Sequence, residues 1–401
     1  MKIIDVKTMV LKGYDPQGMG GKPREWQLIV VKIFTDAGIS GIGECPHWQR
    51  NYFGVRETIE YLAQRLIGKS PFEVKKFVEE HFNGARPPHE PRTLPATILP
   101  VGPVVWAMSG IEMALMDIVG KFCNVPVSTI LGGKFRPKVP IYLDRSGPQD
   151  VTSEKQWEEL AADTMARGFH RFKFDIDHVA PDFVDDVWAR TISRKQMNAI
   201  EKRLTASRRA AGDDAEISVD CHMHYDVPSS IELAKVLENL NISWLEDPTP
   251  VMDIDALSEI RDRTNIPICA GEMFNVEMAK QFIDARALDI IHPDILFAGG
   301  IHQTRKICEL AEMSRIPVAF HNNSTALGLV ATCQLGSTIP NVIAAEYHFY
   351  DSEWSKDWVT RNQGALFVDG HVVVDDTPGL GCELNEKKCL ELLAPGEKFV
   401  G

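Results

Sequence analysis

The sequence predicts an α/β protein, a (β/α)8 barrel preceded by an α+β domain. Three observations carry that prediction. From Lys138 onward, strand-like apolar runs alternate with helical patterns, and counting strands gives eight. Residues 1–125 follow a different order, with strands first and helices after. Acidic residues also end successive barrel-type strands at a constant interval: Asp220, Glu246 and Glu272 stand 26 residues apart, one strand-helix unit each time.

In chain order, "MKIIDVKTMVLKG" and "WQLIVVKIFTDAGISGIGEC" read as strands that turn at Asp36-Ala37-Gly38. The Gly- and Pro-rich "YDPQGMGGKPRE" between them reads as a loop. "RETIEYLAQRLIG", "PFEVKKFVEEHF" and "VWAMSGIEMALMDIVGKFCN" then take the helical period. This first unit is expected to span 1–125. The barrel, 126–350, begins with the strand "KVPIYLDR" and continues through "RFKFDID", "AEISVDC", "ISWLEDP", "IPICAGE", "LDIIHPDI", "IPVAFHN" and "NVIAAEYHF", each but the last followed by a helical pattern. An open doubly wound sheet is the rival arrangement. A nucleotide-binding version of it wants G-x-G-x-x-G after the first strand, where this chain has "GPQD". The tail, 351–401, carries the short strands "ALFVDG" and "HVVVDD" and is expected to pack back on the first unit.

Composition narrows the function. A formal net charge of −13 argues against a nucleic-acid surface. It leaves an anionic small molecule open, because a bound cation and local basic groups can reverse the sign inside a pocket. The eight cysteines are scattered without a C-x-x-C pair, which fits reduced thiols in a cytoplasmic protein. No run suggests a membrane span, and the charged N-terminus lacks the apolar centre of a secretory signal.

Barrel chemistry sits at the C-terminal ends of the strands. Asp220, Glu246 and Glu272 therefore converge on one rim. Three close carboxylates repel one another unless some hold protons or a cation sits among them. Mg2+ favours such an all-oxygen set. A strand-end acid can instead cap the next helix, but three in one phase favour a metal site. The sixth strand ends at Asp294 and the seventh at His321, 27 residues on. A carboxylate on the neighbouring strand orients an imidazole and raises its basicity. The eighth strand ends at Glu346, and the second carries Lys173 and Asp175.

With these residues in place, the chain resembles the enolase superfamily and, within it, the mandelate racemase subgroup. "GIEMALMDIVGK" followed by "VPVSTILGG" is similar to the family's approach to its barrel. The resemblance implies a modified barrel under a capping domain, an Asp-Glu-Glu site for one Mg2+ at Asp220, Glu246 and Glu272, a His321–Asp294 base, and Glu346 binding the substrate carboxylate. It also implies abstraction of a proton α to a carboxylate, and a homo-oligomer. One position departs: many members carry Lys-x-Lys on the second strand, and here the motif is Lys173-Phe174-Asp175. That lowers racemisation relative to elimination. In the subgroup's sugar-acid dehydratases, the third-strand metal Asp is followed two places on by His, as in Asp220-Cys221-His222.

The expected activity is thus dehydration of a monocarboxylic sugar acid. His321 takes the α proton, Lys173 steadies the enediolate and His222 protonates the leaving hydroxyl. Arg145, Asp175 and His224 are candidate substrate contacts. Arg24, Trp48 and Arg50 are specificity candidates on segments, Asp15 to Glu25 and His47 to Phe53, expected to close over the site. The alternatives are a racemase or epimerase of a hydroxy acid, and a non-catalytic barrel that keeps its metal site.

Overall fold

The structure is a computed structural model of the 401-residue chain and describes residues 1–15, 24–46, 53–82, 102–177, 188–361 and 364–401. Strands β1 (Ile3–Asp15), β2 (Arg24–Thr35) and β3 (Ser40–Cys45) form an antiparallel sheet in that order. Leu28, Ile29, Val30 and Val31 are all buried. Four consecutive buried residues break the simple in–out alternation of a one-sided sheet, so both faces of this one are covered.

One cover is the helix Pro103–Cys123, which runs along β3. The approach is so close that a Cβ on Gly43 would sit 1.9 Å from the Gly110 carbonyl oxygen. A Cβ on Gly110 would sit 2.4 Å from the Cys45 sulfur. This helix is long and apolar enough to cross a membrane, contrary to the expectation from composition, but 83% of its apolar window is buried inside the protein. It is a core helix between the sheet and the barrel.

The barrel strands are β4 (Lys138–Asp144), β5 (Arg171–Asp175), β6 (Glu216–Asp220), β7 (Leu245–Glu246), β8 (Ile268–Ala270), β9 (Ile290–Ile291), β10 (Val318–Phe320) and β11 (Val342–Tyr347). All pair in parallel with their sequence neighbours. β11 returns to β4, with Glu346 opposite Tyr142, and closes the ring. Strand-helix joints carry the caps the sequence supplies: Ser153, Ser193, Asp226, Asp253 and Asn275 each accept a backbone N–H of the helix they precede. The barrel floor is apolar, a cluster of Tyr142, Trp244, Cys269, Ile290, Ala319 and Ala344.

Three buried acids tie the N-terminal unit to the rest. Glu44 accepts from the N–H groups of Thr325 and Gly328, at the start of the helix Ala326–Gly336. Glu112 does the same at Ile301 and His302, the start of the helix Ile301–Met313. Asp117 joins Ile42 of β3 to Leu380 of the C-terminal segment. That segment also reaches the first sheet, where Ala394 N–H donates to the Val10 carbonyl. Its strand His371–Val373 lies antiparallel to β4.

Candidate active site

Side chains on alternate strand positions share a face, and in the barrel that face is the interior. Register fixes their height. Asp175 pairs with Asp220, Asp220 with Glu246, and Glu246 with Cys269. Lys173, one step below Asp175, is 1% exposed in this crowd. Its ammonium lies 2.7 Å from Glu246 Oε1, 2.9 Å from Glu346 Oε1 and 3.4 Å from Asp220 Oδ2. Burial works to strip its proton, but the three carboxylates outweigh burial and hold it well above the ordinary lysine range.

The carboxylates divide in response. Burial acts to raise Glu246, yet His292 and Lys173 hold it well below the usual range. Asp220 goes the other way, raised by burial and by the facing Glu246 charge. Asp247, beside Glu246, is raised by burial and by Glu272 and Glu246. Asp175 is pushed up to about 7 by burial and the Asp144 charge, and neither of its oxygens has a hydrogen-bond partner among the described residues.

This excess of buried negative charge is the test of a cation site. Asp220, Glu246 and Glu272 offer oxygen donors from three successive strands, and one lysine charge is divided among three acids. A hard divalent cation suits that donor set and relieves the repulsion that raises Asp220 and Asp247. Among the described residues, two groupings bring ligand atoms within 4.8 Å of each other: Asp175, Asp220 and His222, and Glu246, Cys269 and His292. The expected triad is not one of them, since Asp220 and Glu246 fall in different groups and Glu272 lies instead 3.1 Å from His321. Burial holds the Cys269 thiol protonated, which weakens the second grouping as a ligand set.

His321 stands across the mouth. Its Nδ1 is 2.7 Å from Asp294 Oδ2, and its Nε2 is 3.1 Å from Glu272 Oε2 and 3.8 Å from Glu346 Oε2. Asp294 is fixed from behind, because its Oδ1 accepts from Leu296 N–H at 2.6 Å. The acid therefore caps a short helix and orients the ring at once. Burial acts to lower the His321 pKa, but Glu346, Glu272 and Asp294 raise it to about 10.

His222 follows β6 in a left-handed backbone conformation, φ 45°, and Met223 after it has φ 60°. Its N–H donates to Asp220 Oδ1 at 2.7 Å, which stabilises that turn. The ring lies 3.1 Å from Asp177 Oδ1 and 3.4 Å from Asp220 Oδ2. Burial opposes its charge, but Asp220, Asp175 and Asp177 push it up to about 12.

The structure thus brings together Lys173, Asp175, Asp220, His222, Glu246, Glu272, Asp294, His321 and Glu346. Arg145 is engaged elsewhere, 2.9 Å from Asp351 and 3.5 Å from Asp163. His224 is partly buried with its ring edge-on to Tyr225. Trp48 and Arg50 lie outside the described residues, as do the Arg24 side chain and most of the two segments expected to close over the site.

Five residues escaped the sequence reading: Asp177, Asp247, His292 and the pair His348–Asp144. His292 is fully buried, with Nδ1 2.7 Å from the Ala319 carbonyl and Nε2 3.1 Å from Glu246. Strand alternation was the missed signal. His292 stands two places before Asp294, His348 two after Glu346 and Asp177 two after Asp175.

Comparison with known proteins follows the same lines. Residues 156–388 match the enolase C-terminal domain-like family, and residues 15–132 match the mandelate racemase/muconate lactonizing enzyme N-terminal domain. A D-xylonate dehydratase of Haloferax volcanii is 33% identical over 96% of this chain and 87% of its own length. A D-galactonate dehydratase family member of Oceanicola granulosus is 27% identical over 96% of this chain and 94% of its own. The crystal structure of a mandelate racemase/muconate lactonizing enzyme-like protein from Rubrobacter xylanophilus superimposes with a TM-score of 0.89, at 31% identity, covering 100% of this chain and 99% of that one. With both domain models matched and a closed eight-stranded barrel under an α+β unit, this chain belongs to the enolase superfamily, in its mandelate racemase/muconate lactonizing enzyme group.

Proposed function

We propose that the protein dehydrates a monocarboxylic sugar acid, an aldonate such as galactonate, mannonate, gluconate or xylonate, to the 2-keto-3-deoxy acid. The relatives named as sugar-acid dehydratases support the reaction class. The observation that carries the reading is the His321–Asp294 couple beside Glu346, which Lys173 also contacts, with His222 beside Asp220.

Asp220, Glu246 and Glu272 would hold a divalent cation, Mg2+ by the hardness of the donor set, which when bound supplies Lewis-acid stabilisation of an enediolate. The remaining work falls to side chains. His321 Nε2 accepts the α proton while Asp294 holds the ring by Nδ1. The C–H electron pair becomes the enediolate, whose charge Lys173 faces. The C3–O bond then breaks as His222 delivers a proton, water leaves, and the enol tautomerises to the ketone. His222 suits an acid because Asp177, outside the cation-binding set, lies 3.1 Å from its ring and favours the protonated form. His321 suits a base once one of the charges that raise it is engaged elsewhere, and Glu272 belongs to the cation-binding set.

The test is a panel of aldonates with Mg2+, read as keto-acid formation together with solvent deuterium at C2. Keto acid from at least one aldonate is expected; no keto acid and no exchange across the panel would falsify the reading. Asp175 favours a second reading, epimerisation at C2. Raised to about 7, it lies in the range of a usable base on another strand from His321. Deuterium incorporation with inversion and without keto acid would identify that reaction.

A further inference from the structure

A second set of ligand atoms sits at the same mouth, beside the acids assigned to Mg2+. Asp175 and Asp220 end neighbouring strands and pair in register, and His222 follows two places after Asp220. One atom from each, two carboxylate oxygens and a ring nitrogen, lie within 4.8 Å of one another. Asp220 is common to both sets. Asp175 and His222 belong to this one alone.

Two independent features mark the set as suited to a cation. Asp175 is 3% exposed, and neither of its carboxylate oxygens has a hydrogen-bond partner among the described residues. A buried carboxylate without a donor is costly unless a cation or a proton meets it. The ring of His222 is also held as a metal ligand is held. Its Nδ1–H donates to Asp177 Oδ1 at 3.1 Å, and its Nε2 lies 3.4 Å from Asp220 Oδ2. A carboxylate behind an imidazole fixes the tautomer that leaves the other nitrogen's lone pair for the metal, as it does behind most ligating histidines.

Two carboxylates and an imidazole form a donor set for zinc rather than magnesium, which keeps to oxygen. The His222 side chain is 33% exposed, so a cation can arrive from solvent. Burial opposes charge on that ring, and Asp220, Asp175 and Asp177 favour it. Two of those three acids are the other ligands. A divalent cation therefore meets them in the proton's place, and the proton leaves to solvent.

We propose that Asp175, Asp220 and His222 form a second divalent-cation site, of zinc character and positioned by Asp177, and that its occupation arrests the leaving-group step. The site itself does not depend on what the enzyme dehydrates. The arrest rests on the sugar-acid reading: zinc on Nε2 takes the atom from which His222 delivers its proton, while His321 still exchanges the α proton.

Calorimetry with zinc chloride and no substrate, in a large excess of Mg2+, tests the site. One zinc per chain is expected. Asp177→Asn should weaken its binding by about 10–100-fold, as loss of a carboxylate behind a ligating histidine does. Asp175→Asn and His222→Asn should weaken it further. Glu272→Gln, which removes an acid from the magnesium set alone, should leave zinc affinity unchanged. Unfolding in urea establishes that each variant folds, and His222, being partly exposed, is the safer ligand to remove. No zinc binding beside Mg2+, or binding that survives both Asp175→Asn and His222→Asn, overturns the site. A loss in Glu272→Gln as large as in those two places zinc in the magnesium set and also overturns it. With an aldonate that the parent dehydrates, zinc should lower keto-acid formation by about 10²–10⁴, the worth of a general acid, while deuterium exchange at C2 persists. Equal loss of both signals overturns the arrest. If no aldonate is dehydrated, the sugar-acid reading fails and takes the arrest with it, while the zinc titration still decides the site.

Discussion

Lys173 holds one charge among three acids, and that ratio sets the cost of losing it. In Lys173→Met, Glu246, Asp220 and Glu346 would remain buried without their cation. Removing one partner of a buried ion pair typically costs about 3–5 kcal/mol, so a urea midpoint near that of the parent would contradict the ion-pair geometry. Two further substitutions separate the proposed acid from the proposed base. Asp294→Asn frees the His321 ring, and both deuterium exchange and keto-acid formation should fall by about 10²–10⁴ in kcat, with little change in substrate affinity. His222→Asn should depress keto-acid formation by a similar factor while exchange at C2 persists. Equal loss of both signals in His222→Asn would remove it from the leaving-group role. The sequence made the positions of these side chains legible because strand ends recur at a fixed interval. It did not make their partners legible. Arg145 looked available to a substrate until the fold placed Asp351, 206 positions away, against it. Asp294 proved to be both ring anchor and helix cap, a combination spacing alone cannot separate.

The strands and helices meet through contacts that titrate and contacts that exclude volume. Glu44 is the titrating case. Burial outweighs the hydrogen bonds from Thr325 and Gly328, and its pKa rises from 4.5 to about 7. A group whose folded pKa is raised stabilises the fold fully below its unfolded pKa and loses that contribution as pH climbs through the folded one. Stability from this group should therefore decline between pH 4.5 and about 7, and Glu44→Gln should flatten that part of a melting-temperature profile. A profile as steep in the variant as in the parent would mean another group is responsible. Gly43 is the volume case: any side chain there meets the Gly110 carbonyl. Gly43→Ala should cost about 1–3 kcal/mol, as overpacking generally does, read from the same urea curves. Neither contact could be seen in the sequence. Periodicity identified β3 and the helix Pro103–Cys123 but not that they touch at glycines. That helix also shows why apolar length misleads: it is apolar because protein surrounds it.

For the molecule as a whole, the cation is the largest charge proposed, and its removal should be visible without any assay. Chelation should lower the melting temperature and Mg2+ should restore it in a concentration-dependent way, since a ligand that binds the folded state stabilises it by mass action. Asp220→Asn should abolish that response; an identical melting curve with and without Mg2+ would deny the site. The barrel itself was readable because eight strand-helix alternations leave few ways to close a sheet. Its dependence on the N-terminal unit was not, because Glu44 and Glu112 act on segments about two hundred or more positions away. Those two contacts bear on any attempt to dissect the chain. A fragment beginning near residue 126 would carry two helices whose leading N–H groups have lost their acceptors, and the complementary fragment would bury two carboxylates against nothing. Neither piece should be autonomous. The boundary visible in sequence is a change of architecture, and thermal denaturation should cross it in a single cooperative step.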